Sequence, residues 1–125
     1  MIRGLTLDAG ALIALEARRQ RIARVYREAV ALGLPVTAPS TAVTEWWRGR
    51  TDARDLILGG IAVEMVDTLL AKQAGEALAR LRGATLLDAI VMASAARRGD
   101  IVYTSDFGDL EKLRSVFPSV RVLSV

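Results

Sequence analysis

TLLDAIVMASAARRGDIVYTSDFGD, residues 85–109, decides the fold class. Residues 86–98 are strongly apolar and long enough to predict a helix, and Ile101, Val102, Tyr103 and Thr104 have the β-branched and aromatic character of a short strand. Residues 107–116 predict a second, shorter helix. The acids Asp88, Asp106 and Asp109 fall at the start of one helix and just after the strand.

Working outward, the same alternation recurs. Residues 2–7 predict a buried strand that ends at Asp8-Ala9-Gly10, and a helix is expected from Ala11 onward. Residues 18–32 have helical spacing, with Ile22, Val25, Tyr26, Ala29 and Val30 on one face and Gly33 as the stop. Residues 35–39 predict a brief second strand between prolines, followed by a helix to Trp47 capped by Ser40 or Thr41. A short helix over 52–58, a strand over 61–66, a helix over 69–81 and a last strand over 120–123 complete the chain. Alternating strands and helices, with crossovers long enough for helices, imply a parallel sheet covered on both faces. The expected fold class is therefore α/β: a three-layer α/β/α sandwich with a central parallel sheet of about five strands, in a single domain spanning 1–125.

Composition narrows the chemistry. The chain has 125 residues, 52% hydrophobic and 25% charged, as expected of one compact domain. There is no Cys and no His, which removes disulfides, thiolate and imidazole metal sites and the His-dependent triads. No apolar run approaches the roughly 18 residues that cross a bilayer, and no secretory segment opens the chain, so a cytoplasmic location without membrane attachment is expected. Formal net charge is +3 and the sequence pI about 9.9. Lys72 and Lys112 are the lysines, and every other cation is an arginine, whose planar fork suits phosphate and favours a polyanionic partner such as nucleic acid.

In a parallel sheet the strand carboxyl ends and helix amino ends share one edge, where ligands of open α/β sheets bind. Asp8, Glu45, Asp88, Asp106 and Asp109 come from four separate stretches, and topology brings all five to that edge. Each also has a purely structural role to offer. Asp8 could cap a helix, Thr85 and Asp88 have capping-box spacing, Asp106 and Asp109 could serve a helix start, and Glu45 could pair with Arg48. Jointly they say more, because clustered carboxylates raise one another's pKa unless a cation sits among them. Oxygen-only ligands select hard ions, so Mg²⁺ or Mn²⁺ is expected. Such an ion activates water and offsets transition-state charge in phosphodiester hydrolysis.

Four stretches carry a resemblance: Leu7-Asp8-Ala9-Gly10-Ala11-Leu12-Ile13-Ala14-Leu15, Val43-Thr44-Glu45, Leu87-Asp88-Ala89-Ile90-Val91-Met92-Ala93-Ser94-Ala95 and Tyr103-Thr104-Ser105-Asp106-Phe107-Gly108-Asp109-Leu110. In this order and spacing the chain resembles the PIN-domain ribonucleases, and among them the VapC toxins of bacterial toxin–antitoxin pairs. The resemblance implies a Mg²⁺- or Mn²⁺-dependent endoribonuclease whose acidic quartet falls on Asp8, Glu45, Asp88 and the Asp106/Asp109 pair. Asp8, Asp88 and Asp106 would be metal ligands, with Glu45 and Asp109 completing the set in part through water. Thr104 or Ser105 would orient a carboxylate or water by hydrogen bonding. It also implies a homodimer and a VapB-like antitoxin encoded by a neighbouring gene.

Arg18, Arg21, Arg24 and Arg27 recur every three residues and are candidates to follow an RNA backbone. Adjacent Trp46 and Trp47 cannot face the same way on a helix. One is expected in the core and the other free to stack on a base, with Trp46 the RNA candidate. Three other readings compete: an RNA-maturation PIN nuclease without an antitoxin, a non-catalytic RNA- or protein-binding module on the same fold, and a phosphoryl-accepting receiver domain using Asp67. Neither Lys72 nor Lys112 suits the last.

Overall fold

The computed structural model describes residues 3–125. In chain order the elements are β1 (Leu5–Leu7), α1 (Ala9–Glu16), α2 (Gln20–Ala31), β2 (Val36–Pro39), α3 (Ser40–Trp46), α4 (Asp52–Gly60), β3 (Ala62–Glu64), α5 (Thr68–Arg80), α6 (Leu86–Arg98), β4 (Ile101–Thr104), α7 (Phe107–Lys112) with a 3₁₀ turn (Leu113–Ser115), and β5 (Arg121–Ser124). The five strands form one all-parallel sheet in the order β3-β2-β1-β4-β5. The α/β sandwich with five parallel strands expected from the sequence is the fold found.

Strand order explains where a ligand can sit. From β1 the chain steps to β2 and β3 on one side, then returns through α5 and α6 to β4 on the other. Connections in the two directions must lie on opposite faces if each crossover is right-handed. The cores obey this. Leu5, Leu7 and Ala38 pack with Leu12, Leu15 and Ile22 of α1 and α2. On the other face, Val102 and Val122 pack with Met92, Leu110 and Leu113, and α5 joins α6 through Leu70, Ala74, Ile90 and Ala93. The order reverses between β1 and β4, the switch point at which such sheets open a crevice.

Thr6, between Leu5 and Leu7, faces α6 and anchors a buried polar strut. Its hydroxyl donates to Asp100 Oδ2 at 2.9 Å and accepts from Arg98 Nη2 at 2.9 Å. Arg98 also meets Glu64 Oε2 at 2.8 Å, and Ser94 Oγ donates to Glu64 Oε1 at 2.6 Å. The charges are thus paired and hydrogen-bonded, which burial demands, and α6 is fastened across β3, β1 and β4.

Several boundaries differ from the sequence expectation. The predicted start of the first strand, Ile2, lies outside the described residues. The helix predicted over 18–32 begins only at Gln20, because Arg18 turns the chain with a φ of 59°. Val30, placed on its buried face, is exposed. Neither Ser40 nor Thr41 caps α3; Pro39 occupies the N-cap without a side-chain bond. Proline lacks an N–H and its fixed φ suits the helix entrance, so the chain can turn there unaided. Gly59 and Gly60 extend α4 rather than ending it.

Candidate metal centre in an acidic groove

The five predicted acids line one groove of about 430 Å³ at the carboxyl edge of the sheet. Asp8 follows β1, Glu45 lies on α3, Asp88 opens α6, and Asp106 and Asp109 belong to the start of α7. Asp8 forms the floor, 6% exposed. Asp88 is half-buried, whereas Glu45, Asp106 and Asp109 are exposed around the rim.

The structural roles offered to these residues hold only in part. Asp8 is the N-cap of α1, its Oδ1 accepting from Ala11 N at 2.7 Å, and its Oδ2 accepts from the Thr104 hydroxyl. That hydroxyl in turn accepts from Asp106 N at 2.8 Å. Thr104 therefore positions both the floor carboxylate and the turn after β4. Thr85 caps α6 by accepting from Asp88 N at 3.2 Å. Asp106 occupies the N-cap position of α7 without a side-chain cap bond. Glu45 does not pair with Arg48, whose Nη1 donates to the carbonyls of Thr44 and Trp47 at 3.0 Å.

Ser105 plays a steric part. A Cβ built on Gly10 would collide with the Ser105 hydroxyl and lie 2.8 Å from its Cβ. Glycine lets the β4–α7 turn close over the start of α1, which keeps Asp106 and Asp8 on one groove.

Electrostatically the groove is unbalanced. Burial lifts the Asp8 carboxyl from 3.8 to about 6, against the Thr104 and Ala11 hydrogen bonds and with help from the charges of Asp106 and Asp88. Burial also raises Asp88, aided by Asp106, Asp109 and Glu45. Among the described residues none of the five makes a salt bridge. One further polar group is unmatched: Thr41 Oγ1, on the groove wall, is buried without a hydrogen-bond partner.

These features fit a hard cation. The donors are all oxygen, no arginine or lysine lines the groove with them, and the charged forms of Asp8 and Asp88 are disfavoured until positive charge is supplied. No three carboxylates among the described residues are grouped tightly enough to hold an ion directly. An ion held by one or two carboxylates, with water in its other positions, is the Mg²⁺ pattern and needs no such group.

Other candidates lie elsewhere. Trp46 is 2% exposed, its ring buried and its Nε1 donating to Glu16 Oε1 at 2.8 Å. The RNA-stacking role expected of it is overturned, because no face is free for a base. Trp47 packs edge-on against it, centroids 5.8 Å apart, and is itself half-buried. The arginine row is not one face: Arg18 precedes α2, and Arg21 turns toward Ser124. Arg18, Arg24 and Arg27 line a larger hollow of about 650 Å³, beside Leu56 and Ile57 of α4 and away from the acids. Asp67 caps α5 and is gripped by both terminal nitrogens of Arg97 at 2.8 and 2.9 Å, which with the Leu70 N–H holds its carboxyl down at about 2. It stands beside the edge strand β3, outside the groove, as no receiver acceptor would.

No family model and no curated protein matches the sequence. Solved structures do match in fold. The chain is similar to one in VapBC2 from Rickettsia felis bound to a fragment of promoter DNA, with a TM-score of 0.75, 12% identity, and coverage of 100% of this chain and 99% of that one. It is similar to one in DNA-bound VapBC from Salmonella typhimurium, with a TM-score of 0.73, 17% identity and coverage of 99% and 98%. A chain of FitAB bound to a DNA fragment matches with a TM-score of 0.66, 18% identity and coverage of 96% and 94%. At these identities the likeness is one of fold, and it bears out the PIN-like α/β fold expected from the sequence.

Proposed function

We propose that this chain is a Mg²⁺- or Mn²⁺-dependent endoribonuclease and the toxin of a toxin–antitoxin pair. The observation that carries the reading is the convergence of five carboxylates, from four separate segments, on one groove with no cation facing them. The fold it shares with chains of the VapBC and FitAB complexes supports a VapB-like antitoxin as partner. A homodimer and a cytoplasmic location belong to the same reading. No helix among the described residues is long and apolar enough to cross a membrane.

Asp8 and Asp88 would hold the ion, with Asp106 beside them and Glu45 and Asp109 acting through water. When bound, the ion would lower the pKa of water and offset charge on the phosphodiester in its transition state. The chain's own contribution is preorganisation. Thr104 and the Ala11 N–H fix both oxygens of Asp8, and the cap at Thr85 fixes the helix turn that carries Asp88. The exposed rim acids can accept a proton from water entering the groove.

The test is cleavage of total cellular RNA by purified wild type, Asp8→Asn and Asp88→Asn, with Mg²⁺, Mn²⁺ or EDTA, and sequencing of fragment ends. Discrete metal-dependent cuts lost in both variants are expected. Cutting that survives EDTA or either substitution would overturn the mechanism, and RNA binding without cutting would favour a non-catalytic module.

A further inference from the structure

A groove lined by five carboxylates repels the phosphates it is proposed to cut, so something at its ends must hold the chain in place. At one end it shares Ile13 and Glu45 with a hollow of about 390 Å³ that also contains Arg48 and Arg54. At the other it shares Asp109 with a smaller hollow containing Arg82 and Lys112. Arg54 is occupied, its Nε 3.1 Å from Glu16 Oε1. Arg48, Arg82 and Lys112 are exposed, and among the described residues none of them makes a salt bridge.

We infer that a single-stranded RNA segment crosses the acidic groove lengthwise, held by Arg48 on one side and by Arg82 and Lys112 on the other. The assignment rests on the nuclease reading and deepens it. Cations at both exits neutralise the flanking phosphates, so the phosphate between them can be brought over the carboxylates and their ion. The recessed floor favours a single strand, because Asp8 is nearly buried and a strand free of a duplex can be drawn into a groove. The path does not use the α2 arginines, whose hollow shares no lining residue with the acidic groove. Arg48 is preorganised: its guanidinium is already tied to the end of α3 by two carbonyls, so little side-chain freedom remains to be lost on binding.

The test uses the full chain carrying Asp8→Asn, to prevent cutting, and a labelled single-stranded RNA of mixed sequence, with anisotropy measured in Mg²⁺ over a NaCl series. Each phosphate contact on a single strand contributes about 0.7 to the slope of log K against log salt. Arg48→Gln, Arg82→Gln and Lys112→Gln should each lower the slope by about that much, and the triple variant by about 2. Arg121→Gln, at the amino end of β5 and so at the opposite edge of the sheet, should leave it unchanged. If Arg48→Gln loosens α3, shown by a lowered melting temperature, Arg82→Gln and Lys112→Gln alone decide. Unchanged slopes in these variants, or an equal drop in Arg121→Gln, would overturn the path while leaving metal-dependent cleavage by the wild type intact. Failure of every variant to bind RNA, with no cleavage by the wild type, would overturn the nuclease reading and the path with it.

Discussion

Replacing Asp8 by Asn should stabilise the metal-free protein. Burial holds the Asp8 carboxyl near 6 rather than 3.8, so the folded chain binds this proton more tightly than the unfolded chain does. Below about pH 4 both states are protonated and the residue costs nothing; between pH 4 and 6 the wild type loses stability as the proton leaves; above 6 the cost is constant. The interval corresponds to about 2 to 3 kcal/mol. The figure is net of the Thr104 and Ala11 hydrogen bonds, and Asn resembles the neutral acid in shape. Urea unfolding in EDTA at pH 4 to 8 should therefore show the Asp8→Asn variant pulling ahead from pH 4, by about 2 to 3 kcal/mol at pH 7. Saturating Mn²⁺ should stabilise the wild type alone and close or reverse the gap. A gap that stays flat with pH, or a variant less stable than wild type at pH 7 in EDTA, would refute the claim that the floor carboxylate is held under electrostatic strain.

Thr41→Val exchanges a buried hydroxyl without a partner for a methyl of similar size. It should stabilise the metal-free chain by about 1 kcal/mol, read from its urea midpoint, while Thr41→Ser should not. Gly10→Ala places a Cβ against Ser105 and should cost about 1 to 3 kcal/mol despite alanine's better helix propensity. The double variant Gly10→Ala/Ser105→Gly should recover most of that loss, and a double-mutant cycle with no coupling would contradict the contact.

The sheet and its acids were legible because they rest on periodicity and topology. Ile101–Thr104 and Leu86–Arg98 announce their class by composition alone, and once alternation implies a parallel sheet, Asp8, Glu45, Asp88, Asp106 and Asp109 must share an edge. The errors came where tertiary packing chose between locally equal options. Arg18 lies in register with a helix that the chain leaves through a positive φ, and no spacing rule detects a single left-handed residue. Trp46 and Trp47 are symmetric in sequence; the Glu16 carboxylate that accepts the Trp46 indole lies thirty positions earlier. The orphaned Thr41 hydroxyl was equally invisible. Thr44, one turn later, donates back to Ser40 O at 2.9 Å, but the carbonyl four residues before Thr41 belongs to β2 rather than to a helix.

Placement of the arginines sharpens the case for the groove. Glu16, Asp55, Glu64, Asp67, Asp100 and Glu111 each face an arginine across 2.7 to 3.1 Å, so this chain readily supplies guanidinium to its acids. Asp100, the one carboxylate more buried than Asp8 among the described residues, has such a partner in Arg98, as expected where an unpaired buried charge is the costliest kind. Asp8 instead receives a hydroxyl and a backbone N–H, which orient its oxygens but leave its charge uncancelled. A hydroxyl donor keeps a carboxylate available to an incoming cation, where an arginine would have filled the place. The chain thus carries a buried, uncancelled carboxylate at the switch point between β1 and β4, and under the proposed function that place is the one a cation from outside the chain would take.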